Sequence, residues 1–254
     1  MPGTEVLLMA LVAGLYLYDS AMLLYANEAV LIARGRRKTW LSAFGSTGTT
    51  FRGKEFFLPN PLLPARPVFK LTWRQDEPEA AAVNHTGSGR MRGKVAHAWN
   101  DRAAPLMRFR FPLWSLGLVM FGLLPASMAM GPSGDLLLLA SFVLVYLHVA
   151  VILLMLWFSR RDVGLTGRQA AAIILDLLLC PPFALNLVRR LSLKVEVNED
   201  FVDAARRLQS PPDWQATQEA LLARMDDEIR NEGDDSPKIP ALNRRRETIA
   251  RAPT

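Results

Sequence analysis

The chain has 254 residues, of which 50% are apolar, and its 30 Lys and Arg against 24 Asp and Glu give a formal net charge of +6. That apolar fraction is ordinary for a globular domain, but here it falls into four blocks with most of the charges between them. This distribution excludes an ordinary soluble globule and a disordered chain, and it predicts a small multi-spanning membrane protein. The single cysteine excludes an internal disulfide scaffold.

The first apolar block runs from Val6 to Ala33 and exceeds the roughly 20 residues that a membrane helix needs. It predicts a first transmembrane helix within residues 5–33, with the span ending near Tyr25. A cleaved signal peptide would carry basic residues ahead of the apolar run, and only Glu5 precedes it here. We therefore expect this helix to be retained.

Three more apolar blocks follow a long basic stretch. Residues 111–130 and 136–158 contain no Asp, Glu, Lys or Arg and predict a second and a third transmembrane helix, paired as an antiparallel hairpin. Residues 169–188 are just long enough to span, but Pro181 and Pro182 interrupt them. This block is therefore either a kinked span or a re-entrant segment.

Arginines indicate the orientation. Basic residues follow the first and third blocks and precede the second, whereas the turn between the second and third blocks has none. The positive-inside rule then puts the N-terminus outside and residues 34–110 in the cytoplasm. Compact loops and arginine-rich flanks suit a bacterial inner membrane. If residues 169–188 re-enter, the C-terminus is also cytoplasmic, which we favour over an external one.

The insert at residues 34–110 holds 15 Lys and Arg against 5 Asp and Glu. Alternation of polar and apolar residues predicts short strands at Thr50–Leu58 and Pro67–Trp73, and a basic interfacial helix fits residues 90–110. This charge suits anionic lipid headgroups. Because no recognition motif accompanies it, we do not expect a nucleic-acid partner.

The C-terminal tail is nearly balanced in charge. Residues 189–232 are expected to be partly helical, with a short strand at Leu191–Val197 and an amphipathic helix at Asp213–Asn231 that packs on the basic insert or docks a partner. Residues 233–254 are polar and are expected to be disordered.

Together these elements predict an all-α integral membrane protein with three to four transmembrane helices. A small basic β-containing cytoplasmic insert and a partly helical C-terminal tail complete the expected fold.

Three ionisable residues fall near mid-membrane by counting: Asp19, His148 and Asp176. Such residues are costly in a bilayer and usually face a bundle interior or a wet path. If they converge, they would form a proton relay or ion site. The alternative is that each makes one interhelical hydrogen bond as structural glue. Separately, Asp176 and Asn186 flank Pro181 and Pro182 in the way of the broken helices that build transporter sites, and a proline kink that only turns the chain is the favoured alternative.

A second candidate lies at the end of the first block. Asn27 and Arg34 are seven residues apart and would share a helix face beside Glu28. They would form an interfacial binding site or, alternatively, only a snorkelling salt bridge.

The sequence carries no nucleophile motif, metal-ligand spacing, phosphate loop or cofactor fingerprint, so we assign no catalytic residue, metal or cofactor and do not favour an enzyme. The leading hypothesis is an accessory or scaffold component of a membrane assembly, with another membrane protein or a second copy as partner. The alternative is a proton- or ion-coupled transport component that uses Asp19, His148 and Asp176.

Overall fold

The computed structural model describes residues 2–34, 39–73, 89–195, 197–232 and 236–252. The chain forms two compact units. The first, here called the bundle unit, combines Met1–Met22, Phe57–Val68 and Asp101–Val195. The second, here called the sheet unit, combines Leu23–Phe56, Phe69–Asn100 and Glu196–Thr254.

Helices dominate the bundle unit. They are α1 (Pro2–Ser20), the end of α2 (Gly89–Met107), α3 (Arg110–Leu118), α4 (Leu124–Ala129), α5 (Asp135–Ser159), α6 (Gly167–Leu179), α7 (Pro181–Ala184) and α8 (Leu187–Ser192). The central helix α5 packs against α3, α4, α6 and α7, and α1 packs against α7. Fully buried aliphatic side chains such as Leu116 and Ile152 fill the space between them.

Two stretches among the described residues are long and apolar enough to cross a membrane. They are Arg110–Ala129, with mean hydropathy 1.5, and Asp135–Ser159, with mean hydropathy 2.7. The first runs through α3, a π-helical turn at Val119–Leu123 and α4. The π turn precedes Pro125, which has no N–H to continue the regular bonding of the turn before it. A 3₁₀ turn at Gly131–Gly134 joins the two stretches.

After α5 the chain folds back on itself. The 13 residues of α6 measure about 20 Å, less than the roughly 30 Å of a bilayer core. Pro181 and Pro182 open α7, because a proline fits the first helical turn but cannot continue the preceding helix. Arg190 of α8 then pairs with Asp176 of α6 at 2.8 Å, which ties the returning chain to the helix it left.

Strands build the sheet unit. They are β1 (Met22–Tyr25), β2 (Glu28–Arg34), β3 (Thr39–Phe44), β4 (Ser46–Phe51), β5 (Lys54–Phe57) and β6 (Val68–Thr72). They form two three-stranded sheets, in the orders β1-β5-β4 and β3-β2-β6. Antiparallel pairing of β2 with β3 runs from Ala29↔Phe44 to Arg34↔Thr39. β4 and β5 form a hairpin closed by Arg52 and Gly53, whose φ angles of 50° and 75° suit a tight two-residue turn.

Aromatic rings fill the core of the sheet unit. Trp40, Phe69 and Trp99 lie mutually in contact, with ring centroids 5.4 to 5.7 Å apart. Phe44 of β3 meets Phe201 of the tail at 5.6 Å. Because these residues come from the insert and from the tail, both parts of the sequence share one core.

The described part of the tail forms α9 (Phe201–Leu208), α10 (Pro211–Glu232) and α11 (Ile239–Ala250). Helix α10 packs on β3, where the hydroxyls of Ser42 and Thr217 lie 2.5 Å apart. Arg224 of α10 pairs with the largely buried Glu55 of β5 at 2.6 Å. The amphipathic tail helix therefore packs on the basic insert.

The predicted all-α fold is wrong. The chain contains two antiparallel three-stranded sheets, and two candidate spans rather than three or four occur in the part of the chain described. The error begins in the first block, where the helix ends at Ser20 and β1 and β2 occupy residues 22–25 and 28–34. Because β2 is buried on nearly every residue, its apolar run is continuous and cannot be distinguished from a helix by pattern.

Two expectations for the tail are also wrong. Most of Leu191–Val197 is not a strand, since α8 extends to Ser192 and turns follow it. Residues 239–250 are not disordered but form α11, held by Arg245, which pairs with Asp200 at 2.9 Å in a buried position. A polar composition hid this helix because few apolar residues, chiefly Leu242 and Ile249, suffice to seat it.

Candidate functional site

A buried polar cluster joins α1 to α8 within the bundle unit. Ser20 donates from Oγ to the carbonyl of Tyr16 at 2.8 Å and lies 2.9 Å from Oδ1 of Asn186. Nδ2 of Asn186 donates to the same Tyr16 carbonyl at 3.0 Å. Arg189, which is only 3% exposed, donates from Nη1 to Asn186 Oδ1 at 2.9 Å and to Ser20 Oγ at 3.1 Å.

The same arginine holds the proline-rich segment Phe57–Val68, which belongs to the bundle unit. Its Nη2 donates to the carbonyls of Asn60 at 2.5 Å and Leu63 at 3.3 Å. Burial lowers the pKa of the Arg189 guanidinium, and the nearby Tyr16 counteracts part of that effect. One buried cation thus adds a charged donor to two carbonyls of the proline-rich segment, which also accept from the backbone N–H groups of Leu63 and Arg66.

Two of the predicted intramembrane acids lie beside this cluster. Asp176 accepts from Arg190 at 2.8 Å, and about half of its side chain is exposed. Asp19 lies within electrostatic range of Arg190, Asp176 and Arg189 and faces Asn186. One carboxylate oxygen of Asp19 is buried without a hydrogen-bond partner among the described residues. The structure therefore brings Asp19, Asp176 and Asn186 into one neighbourhood.

The predicted helix break explains how these residues meet. Pro181 and Pro182 begin α7 and reverse the chain between Asp176 and Asn186. Without the break, residues ten positions apart on one straight helix would lie about 15 Å apart along its axis.

His148 does not join them. Its Nδ1 lies 2.7 Å from the carbonyl of Leu144, one turn earlier on α5, and the ring is half-buried. Neither acid appears among the contacts that the structure gives this histidine. The three-residue convergence predicted from the sequence is therefore reduced to the two acids.

The predicted interfacial group at the end of the first block has a different setting. Asn27 lies in the turn before β2, and its carbonyl accepts from Trp73 N at 3.0 Å. Glu28 is buried and accepts from Tyr25 N at 3.0 Å and from Lys70 at 2.9 Å. Arg34 is exposed at the end of β2. The helical face on which these residues were aligned does not exist, because this stretch is a turn and a strand.

Sequence reasoning missed Tyr16, Ser20 and Arg189. A signal was present for the first two, since Tyr16, Asp19 and Ser20 stand at i, i+3 and i+4 and form one polar face on an apolar helix. Arg189 gave no such signal. A basic residue directly after an apolar block is expected to lie at the membrane surface, whereas this one is buried.

A polar cavity in the sheet unit is lined by Thr72, Val197, Asn198, Glu199 and Asp200. Its acids are already engaged. Glu199 accepts from Trp99 Nε1 at 2.9 Å and from Arg207 at 3.0 Å, and Asp200 pairs with Arg245. The two carboxylates of the cavity are therefore bonded to side chains of α2, α9 and α11.

Among the described residues no group of three or more His, Cys, Asp and Glu side chains could hold a metal ion. The polar cluster combines two carboxyls, an amide, a hydroxyl and two guanidiniums, and the Asp19 carboxylate oxygen that has no partner in the described part of the chain is where it can take up a proton. No family model, curated protein or solved structure matches this chain.

Proposed function

We propose that this chain is an integral protein of the bacterial inner membrane and an accessory or scaffold component of a membrane assembly. The bundle unit anchors it in a bilayer with anionic headgroups, and the sheet unit docks another membrane protein or a second copy. The observation that carries the proposal is that the two units differ in the elements they contain. Candidate spans lie in the bundle unit, whereas insert and tail combine into one folded body.

Exposed apolar side chains support the anchoring role. Phe111, Leu136 and Phe158, on the two candidate spans, are 82%, 80% and 78% exposed. A soluble protein rarely leaves a contiguous apolar surface of this kind open to water, whereas lipid chains cover it at no cost.

The composition of the sheet unit supports a single side for insert and tail. Because Phe44 and Phe201 share one core, residues from both parts must fold in the same compartment. Two spans joined by the turn Gly131–Gly134 return the chain to its starting side. That turn lacks Lys and Arg, and the positive-inside rule then favours the cytoplasm for insert and tail.

Cysteine labelling tests this threading. Replacing Cys180 by Ala gives a cysteine-free background, into which Thr49→Cys, Ser133→Cys or Asp227→Cys is introduced. An impermeant maleimide should label position 133 in intact cells, and positions 49 and 227 only after lysis. Labelling of 49 and 227 from opposite sides would refute the threading. A cysteine at Gly3 tests in the same way whether the N-terminus is external. That expectation came from a predicted first span within residues 5–33, whereas α1 ends at Ser20.

Purification in mild detergent tests the scaffold role. We expect a stoichiometric partner, or a second copy, that stays bound through gel filtration and forms cross-links to the sheet unit. A chain that elutes alone, with cross-links confined within it, argues against a scaffold.

Ion-coupled transport is the second candidate, favoured by the proximity of Asp19 and Asp176. In proteoliposomes, Asp19→Asn and Asp176→Asn should each abolish a proton flux that Asp135→Asn leaves intact. Asp135 is a suitable control because it lies exposed at the start of α5. Absence of flux in the unmodified protein eliminates this candidate.

A further inference from the structure

We propose that the corner between α5 and α6 binds the phosphate of an anionic phospholipid headgroup. This inference rests on the proposed membrane anchoring and specifies which lipid chemistry the bundle unit selects and where. The corner is defined as the end of α5, residues 160–166 and the start of α6, together with the start of α3.

The corner is a fixed structure. Val163 N donates to Ser159 O at 3.1 Å, Gly164 N to Arg161 O at 3.1 Å, and Leu165 N to Arg160 O at 2.7 Å. Gly164 has φ +71°, a conformation that side chains rarely adopt. The backbone therefore presents the arginines of this loop from a defined position.

The corner, with the approach to α3, contains five arginines: Arg108, Arg110, Arg160, Arg161 and Arg168. The ion pair of Arg108 with Asp162, at 2.7 Å, brings the approach to α3 against the loop. That pair neutralises the acid within the loop. Three further arginines, Arg110, Arg161 and Arg168, are exposed, and no carboxylate among the described residues forms an ion pair with them. The corner thus carries an excess of positive charge without an internal partner.

Aromatic side chains place this charge at the depth of lipid headgroups. Arg160 lies over the ring of Trp157, 4.3 Å from its centroid, and donates to the Trp157 carbonyl at 2.7 Å. Phe158 and Phe111, at the same ends of the two candidate spans, are 78% and 82% exposed. Aromatic belts mark the membrane interface, and guanidinium groups bind phosphate oxygens in pairs.

The geometry favours a lipid over a dissolved anion. A soluble phosphate would use the arginines alone, whereas a phospholipid also covers the apolar rings beside them with its acyl chains. The opposite end of the hairpin has no Lys or Arg between Ala129 and Asp135, so the preference is confined to one leaflet.

Native mass spectrometry of the delipidated full chain tests the proposal. Phosphatidylglycerol or phosphatidylcholine is added in equal amounts, and bound lipid is counted. The unmodified protein should retain phosphatidylglycerol preferentially. The double variant Arg161→Gln/Arg168→Gln should bind it about 25-fold more weakly, from about fivefold per basic residue near an anionic surface.

The matched control is Arg230→Gln/Arg244→Gln, which removes the same charge from exposed sites of the sheet unit. Its lipid binding should equal that of the unmodified protein. Arg161→Lys/Arg168→Lys should keep most of the binding, and the single variant Arg161→Gln serves if the double variant does not fold. Equal loss in the control, or equal retention of the two lipids by the unmodified chain, overturns the site.

Two further arms separate the causes of failure. Excess inorganic phosphate should not displace the lipid, and displacement would assign the corner to a dissolved anion. Carbonate extraction should leave the unmodified chain and the double variant in the membrane. A chain that is extracted refutes the membrane anchor itself, whereas a retained chain without lipid preference refutes only the headgroup site.

Discussion

Arg189 donates more hydrogen bonds within the bundle unit than any neighbouring side chain. It is buried and donates to Ser20, Asn186 and two carbonyls of the proline-rich segment. Leaving a buried acceptor without a donor costs roughly 1–3 kcal/mol of folding free energy. The loss on removing Arg189 depends on how many of its acceptors keep another donor. This residue therefore helps to hold the proline-rich segment on the bundle, together with the bonds of Tyr16 to the Pro61 carbonyl and of Val68 N to Ser192.

Substitution of Arg189 by Met keeps the length and removes the donors. We expect the free energy of unfolding to fall by about 1–3 kcal/mol, because the neutral acceptors of Ser20 and Asn186 lose a buried donor. Thermal unfolding in detergent measures it. The control Arg230→Met removes an exposed arginine whose ion pair, within the part of the chain that the structure describes, is with Asp227, and it should change stability by less than about 0.5 kcal/mol. Equal melting of the two variants would contradict the role assigned to Arg189.

Gly45 allows a second test at the same scale. A Cβ at this position would lie 2.6 Å from Oε2 of Glu55, the carboxylate that pairs with Arg224. Gly45→Ala should therefore displace Glu55 and destabilise the sheet unit by about 1–3 kcal/mol. Tryptophan fluorescence in a urea titration reports it, because Trp40, Trp73 and Trp99 lie in that core.

Gly48→Ala is the matched control, since its Cβ would meet nothing nearer than Ser46 Oγ at 4.0 Å. It should leave the urea midpoint nearly unchanged. A midpoint lowered as much as by Gly45→Ala would show that loss of glycine in this region, rather than the approach to Glu55, is responsible.

The sequence identified individual site residues only where a polar side chain interrupts an apolar block. Asp19, Asp176 and Asn186 stood out because polar side chains in apolar blocks need partners, and the structure gives them a common neighbourhood. His148 stood out for the same reason, but its ring nitrogen forms a hydrogen bond with a carbonyl of its own helix. Composition alone does not tell which face of a helix a residue occupies relative to other helices, so the convergence itself required coordinates.

At the scale of elements, the hairpin between the two candidate spans depends on a close approach. A Cβ on Gly134 would lie 2.9 Å from Met130 Cβ and would also collide with the Ser127 carbonyl. Gly134→Ala should therefore open the 3₁₀ turn and lower the detergent melting temperature. Gly122→Ala, whose Cβ would lie 4.0 Å from Leu118 Cγ, should not. Indistinguishable melting curves would show that the turn tolerates a side chain.

Helices were predictable from the sequence where an apolar run was long and uncharged. The block at residues 136–158 matches α5 because a long apolar run without charges has few alternatives to a helix. The prediction of one helix for the first block was wrong because α1 and the buried strand β2 follow each other with only β1 and a turn between them. Their joint hydropathy resembles one long helix, and only tertiary pairing separates them.

At the scale of the whole molecule, the tail completes a core that the insert cannot close alone. Phe201 packs against Phe44 and Trp73, and Trp214 is 2% exposed. Sequence reasoning joined insert and tail only through their opposite charges, since core pairing across more than 150 residues leaves no local pattern. The structure contains an ion pair between them, Arg224 with Glu55, and adds the shared burial of aromatic rings, which salt does not screen.

Truncation after Val195 tests this dependence. Without α9 and α10 the aromatic core of the insert faces solvent, so protease should cleave within residues 23–100 far faster than in the full chain, while the bundle unit stays in the membrane. Each large apolar side chain left exposed forfeits about 1.5–3 kcal/mol, and several together are enough to unfold a small unit. Supplying residues 196–254 as a separate chain should restore protection, and it should do so equally at high salt. Unchanged protease resistance of the truncated chain would mean that the insert folds without the tail.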